Sequence, residues 1–151
     1  MATTKYGGKT IQELSAFTDS IRITHADLTA AATTQTITKD IKAGQQIRNV
    51  VFKLHTAFDG ASTSSLKLDV GYGGNADGFV DDNEIHKDAT EVNFGPLAYE
   101  VNTGMVFFQD DTIDILFTAS GGNLSTLTTG DIEIFFNIID INGVSEDFKN
   151  S

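Results

Sequence analysis

The densest run of potential ligand atoms in the chain is Gly71-Tyr72-Gly73-Gly74-Asn75-Ala76-Asp77-Gly78-Phe79-Val80-Asp81-Asp82-Asn83-Glu84. Closely spaced oxygen donors suit calcium, which takes about six to eight of them, and a glycine among them allows a sharp bend. Against the calcium loop of an EF-hand, Asn75, Asp77, Gly78, Asp81 and Glu84 fall on the third, fifth, sixth, ninth and twelfth loop positions. Two features oppose that reading. Gly73 stands where an aspartate normally opens the coordination, and Leu66 to Val70 alternates like a strand where an entering helix belongs. The stretch therefore reads as a glycine-rich loop between strands with solvated acids. Asn75, Asp77, Asp81 and Glu84 are the candidate ligands for a calcium ion. A single site without paired helices has nothing to open, so such an ion would pin the loop rather than signal.

Other chemistry finds fewer residues. His25, His55 and His86 are far apart in sequence, without the short His-x-x-x-His spacing that marks zinc sites. Serines and threonines are plentiful, yet no Gly-x-Ser-x-Gly elbow exists and cysteine is absent, so nucleophilic catalysis lacks its usual frame. Gly71-Tyr72-Gly73-Gly74 has no following lysine to reach a phosphate and runs into acids that would repel one. Asp81-Asp82 and Asp110-Asp111 are adjacent carboxylates of the kind that form solvated turn tips. The residues lead to the expectation that no enzyme active site is present.

The elements that must carry these groups alternate with a period of two. Ile21 and Ile23, then Val50, Phe52 and Leu54, then Leu66, Leu68 and Val70 place apolar side chains on one face, with polar neighbours between them. Thr33 to Thr38 is a β-branched run that favours the pleat. Met105 to Phe108 and Ile113 to Thr118 read as a strand pair around Asp110-Asp111, and Asp131 to Ile141 closes the set. In that last strand Ile132, Ile134, Phe136 and Ile138 face one way, which turns Phe135 outward to meet another layer or a partner. Lys42-Ala43-Gly44 and Gly121-Gly122-Asn123 are turns, and the single proline, Pro96, lies outside every strand. Short strands, glycine-rich turns and no long helical period predict an all-β, antiparallel β-sandwich of jelly-roll type. The domain spans 19–151 and follows an N-terminal arm over 1–18. In that arm Ile11, Leu14 and Phe17 recur at a spacing that suits one or two helical turns, an anchored arm or a frayed end.

Composition bounds the partners. A 151-residue chain is one domain in length and long enough to bury a core without disulfide staples. Its formal charge of −11 opposes phosphate backbones and anionic membranes, so neither nucleic acid nor membrane is an expected partner. No stretch approaches the ~20 apolar residues of a membrane-spanning helix. Residues 1–10 lack the apolar run of a signal peptide, which makes an intracellular origin the default expectation.

The run Ile23-Thr24-His25-Ala26-Asp27-Leu28-Thr29-Ala30-Ala31-Ala32-Thr33-Thr34-Gln35-Thr36-Ile37 is distinctive. After it come the Lys42-Ala43-Gly44 turn, the Val50 to Leu54 strand, Thr56-Ala57-Phe58-Asp59-Gly60, the Leu66 to Val70 strand and Asp77-Gly78-Phe79. This order, over about Ile21 to Val80, resembles a group of small virion proteins of tailed bacteriophages. The resemblance implies a capsid decoration, or cement, protein: a β-sandwich on the outer head shell, assembled in the host cytoplasm. It implies as partners the major capsid protein and further copies of itself, as a homo-oligomer and by analogy a trimer. The arm would then hold the shell through Tyr6, Ile11, Leu14 and Phe17. Lys39-Asp40-Ile41-Lys42 departs from the apolar run expected ahead of the turn. The reading from a different class is a carbohydrate- or receptor-binding sandwich of a phage fibre or tail, with or without a stabilising calcium ion.

Overall fold

The computed structural model describes residues 5–6, 9–10, 17–87 and 106–142. Alternation dictates the architecture. Strands β3 (Asp19–Thr24), β5 (Gln45–Gly60) and β9 (Leu127–Asp140) form a three-stranded sheet in the order β3-β9-β5. Strands β4 (Thr34–Ile41), β6 (Ser65–Tyr72), β7 (Asn75–Glu84) and β8 (Asp111–Ser120) form a four-stranded sheet in the order β4-β8-β6-β7. All these pairings are antiparallel. Two further two-residue strands, β1 (Lys5–Tyr6) and β2 (Lys9–Thr10), pair with each other. Among the described residues no helical run exceeds one three-residue 3₁₀ turn, and no helix is long and apolar enough to cross a membrane.

The two sheets pack face to face as a β-sandwich, and their inner faces supply one core. Ile23, Val50, Phe52, Leu54, Ile132, Ile134 and Phe136 enter it from the three-stranded sheet. Leu66, Leu68, Val70, Val80, Ile113, Ile115 and Phe117 enter from the other. Each large side chain so buried contributes about 1.5–3 kcal/mol of transfer free energy. On the side of β5 away from β9, the described residues supply only His86, which bridges Phe58, and Val106, which bridges Gln46.

Two edges of the sandwich differ in consequence. On the β5/β7 side, backbone hydrogen bonds tie the sheets: Phe58 N–H to Ile85 O (3.1 Å), Lys87 N–H to Phe58 O (3.0 Å) and Ile85 N–H to Leu66 O (2.8 Å). On the β3/β4 side Lys39 of β4 pairs with Asp19 of β3 at 3.0 Å, and Gln35 of β4 donates to Asp27 O and accepts from the Ala30 N–H beyond β3. That pair explains the charged departure before the Lys42 turn: Ile41 is fully buried, while Lys39 crosses the open side of the sandwich to a carboxylate.

Glycine is required at Gly130, where φ is +144° and a Cβ would overlap the Phe58 ring. That close approach lets β9 pass over the bulged end of β5, whose register shifts between Leu54, Thr56, Asp59 and Gly60.

The structure corrects two expected elements. Of the expected Met105 to Phe108 strand, Met105 lies outside the described residues, and Val106 to Phe108 do not pair with Ile113 to Thr118. Val106 makes one bridge to Gln46, and β8 pairs with β4 and β6 on its two sides. The expected loop from Gly71 to Glu84 is a hairpin: β6 runs to Tyr72, Gly73-Gly74 turns, and the acidic run is strand β7. Ile11 and Leu14 lie outside the described residues.

Candidate functional site

The acidic run is placed by the register of β6 against β7. From Leu68↔Asn83 to Val70↔Val80, β6 advances two residues and β7 three. The extra residue is a bulge at Asp81-Asp82, where Asp82 takes a φ of +51°, a conformation aspartate tolerates better than most side chains. The bulge turns Asp81 and Asp82 toward Asp69 of β6, and oxygens of the three carboxylates lie within 4.8 Å of one another. Asp69 accepts a hydrogen bond from the Asp82 N–H at 2.5 Å, and Asp82 pairs with Lys67 at 3.1 Å. Partial burial raises the Asp69 carboxyl above the ordinary carboxylate range, and the charges of Asp82, Asp81 and Asp77 push the same way. The hydrogen bond from Asp82 opposes them. As ligands, three carboxylates with two of them exposed fall short of the calcium complement.

The four candidate calcium ligands do not converge. Asn75 lies opposite Tyr72 and Glu84 opposite Lys67. Along β6 those positions are about 17 Å apart at the rise of a strand, so one ion cannot be shared. Glu84 is committed elsewhere: its carboxylate accepts from Ser65 Oγ (2.5 Å), Leu66 N–H (2.7 Å) and His86 N–H (3.2 Å). Only Asp81 of the four belongs to the carboxylate cluster. Asp69 was missed because its ligand partners lie across a strand pairing. Its outward phase beside Lys67 was the available signal.

The histidines separate. His55 Nε2 lies 3.1 Å from Glu133 on the outer face of the three-stranded sheet. His86 is buried, with Nε2 3.7 Å from Asp59, whose carboxylate also meets Lys87 at 3.0 Å. His25 lines a shallow hollow of about 360 Å³ with Thr24, Thr56, Thr128, Thr129 and Asp131. There the polar groups satisfy one another. The Arg22 guanidinium forks onto Asp131 at 2.9 and 2.6 Å and holds its carboxyl below the ordinary range. Thr129 and Thr128 donate to the carbonyls of Ala57 and Asp59.

A larger open hollow, about 700 Å³, lies where the β6–β7 turn meets residues 106–111. Tyr72 packs edge-on against Phe107 (centroids 5.7 Å) and near Phe79 (5.6 Å), while Gln109 and Asp111 supply its polar rim. Phe108 also lines it, 96% exposed. Its loop is held on both sides. Phe107 exchanges backbone hydrogen bonds with Gly44 and Gln45, and Asp110 accepts from the Ala43 N–H at 3.0 Å and meets Lys42 at 3.4 Å.

Of the expected shell-binding residues, Phe17 is in view. It packs on the outward-facing Phe135 of β9 with centroids 5.7 Å apart. Thr18 fixes the entry into β3: its N–H donates to Phe136 O (2.9 Å), and its Oγ1 accepts from the Ile138 N–H (2.8 Å). Val51, Phe135 and Ser20 sit side by side across the same outer face. Tyr6 is in β1, and its side chain, like Ile11 and Leu14, lies outside the described residues.

Comparison with protein-family models, with curated proteins and with solved structures yields no match.

Proposed function

We propose that this chain is a capsid decoration protein, a rigid sandwich that docks on the outer head shell of a tailed bacteriophage and bridges neighbouring capsid subunits. The observation that carries the reading is the Phe17–Phe135 contact. It fastens Phe17, just ahead of β3, to the outward-facing Phe135 of β9. A segment launched from such an anchor can reach across neighbouring shell subunits while the sandwich stays in register. Many modest contacts repeated over a particle would hold the shell through avidity. On this reading the partners are the major capsid protein and further copies of the chain.

The test is co-sedimentation with undecorated heads of a tailed bacteriophage. The full chain is expected to pellet with heads to saturation. The chain lacking residues 1–16 is expected to stay folded and in the supernatant. Equal binding by the two forms would remove the arm from the account.

A second reading has one observation in its favour. The hollow lined by Tyr72 and the exposed Phe108, with Gln109 and Asp111 at its rim, offers aromatic rings beside hydrogen-bonding groups, the combination that suits a sugar ring. A glycan array with the full chain and Phe108→Ala decides it. Binding lost in the variant favours a receptor-binding module, and a blank array favours the shell.

A further inference from the structure

The open side of the sandwich exposes β4 (Thr34–Ile41) as an edge strand, and its hydrogen-bonding groups can be assigned. The Ala119 N–H donates to Thr33 O at 2.7 Å, in phase with the Thr34↔Thr118 register. In an antiparallel ladder alternate residues direct both backbone groups to the partner. Gln35, Ile37 and Lys39 therefore face β8, and Thr34, Thr36, Thr38 and Asp40 turn their N–H and C=O groups outward. Among the described residues no strand pairs with that edge.

Edges of this kind are usually blunted by bulges, proline or charge. The opposite edge strand, β7, is bulged and carries Asp81 and Asp82. By contrast β4 keeps an unbroken register over eight residues and has no proline. Its one inward-facing cation, Lys39, is neutralised by Asp19 of the same chain.

We propose that β4 pairs antiparallel with β4 of a second copy about a two-fold axis centred on Ile37, joining two four-stranded sheets into one. The occupant follows from the edge's own complementarity. With Ile37 opposite Ile37, Thr36 faces Thr38 and Thr34 faces Asp40. These are the residues with outward backbone groups, so each such pair can exchange both ladder hydrogen bonds. Lys39 falls opposite Gln35, and no like charges meet, which matters for a chain of net charge −11. The inner-face positions stay on the inner face because opposed residues share a side. The half-buried Ile37 side chains meet in a non-hydrogen-bonded pair, where Cα atoms approach to about 4.5 Å. A single edge is small beside a standard interface, so the pair forms at high concentration or when both copies are held on a surface. This pairing does not depend on the shell-binding proposal, and it gives a two-fold dimer rather than the trimer expected by resemblance.

The chain has no cysteine, so one introduced thiol reports the register. Under mild oxidation at high protein concentration, Ile37→Cys is expected to form a disulfide dimer at least about tenfold faster than exposed Ser20→Cys, because the opposed Cα separation lies within disulfide range. Adding Thr38→Pro removes an outward N–H without touching the β8 ladder, a change an edge strand tolerates. It is expected to abolish the cross-link with the circular dichroism spectrum unchanged. Sedimentation equilibrium of the cysteine-free chain provides the independent readout, with a dimer in the parent that Thr38→Pro returns to monomer. Equal cross-linking by the Ile37→Cys and Ser20→Cys variants, a parent that stays monomeric at millimolar concentration, or a trimer insensitive to Thr38→Pro would each overturn the pairing.

Discussion

The Phe17–Phe135 contact makes the most quantitative prediction. Phe17 and Phe135 are both half-buried, with ring centroids 5.7 Å apart and planes inclined at 49°. Burying a whole phenylalanine is worth about 1.5–3 kcal/mol, so truncating half-buried Phe135 to alanine removes about 1 kcal/mol of area burial. A tilted aromatic pair adds about 0.5–1.5 kcal/mol beyond area. Phe135→Ala should therefore cost about 2 kcal/mol, and Phe17→Ala a similar amount. Because both lose the same pair, the double variant should cost less than the two single losses together, by about 1 kcal/mol. Urea unfolding followed by tyrosine fluorescence measures each value, since the chain contains three tyrosines and no tryptophan. Losses that simply add would mean the rings do not interact in solution, and the anchor argument would fail.

Three further outcomes follow from the geometry. Gly130→Ala forces a Cβ into the Phe58 ring at a φ that side chains rarely adopt. It should cost about 3–5 kcal/mol and lower Tm by roughly 10 °C, read by calorimetry. Asp69→Asn removes a partly buried carboxylate surrounded by like charge. The folded carboxyl titrates above its unfolded value, so the parent loses stability as pH rises from the unfolded toward the folded pKa, whereas the variant does not. The variant should melt about 1 °C higher at pH 7, and the advantage should vanish at pH 3. Two millimolar calcium should leave the transition within about 1 °C, because any ion bound only to the folded state would raise it. A rise of several degrees would restore a calcium site.

Much of the sandwich was legible because strand alternation is a local property. The Ile21 to Ile23, Val50 to Leu54, Leu66 to Val70 and Ile113 to Thr118 runs each enter the core with the phase read from their sequence. The outward turn of Phe135 follows from the same rule, and its partner layer includes Phe17. Strand β7 escaped notice for a physical reason. Glycine, asparagine and aspartate are depleted from strands, and here tertiary pairing with β6 overrides that preference at the cost of bulges. The Asp69–Asp81–Asp82 cluster, the Glu84 cap on Ser65 and Leu66, and the outward phase of the β4 backbone all depend on which strand lies beside which. No short stretch of sequence encodes that choice. Val106 and Phe107 mimic a strand by composition, but their apolar character serves one bridge to Gln46 and the packing of Tyr72.

On the proposed function, the sandwich acts as a rigid body that docks on an assembled shell. Electron cryomicroscopy of undecorated tailed-phage heads incubated with the full chain examines this directly. It should reveal two-layered β density at repeating positions on the outer surface, with residues 1–16 reaching onto adjacent capsid subunits. Shells that remain bare at tens of micromolar protein (a concentration at which repeated weak contacts suffice) would contradict it.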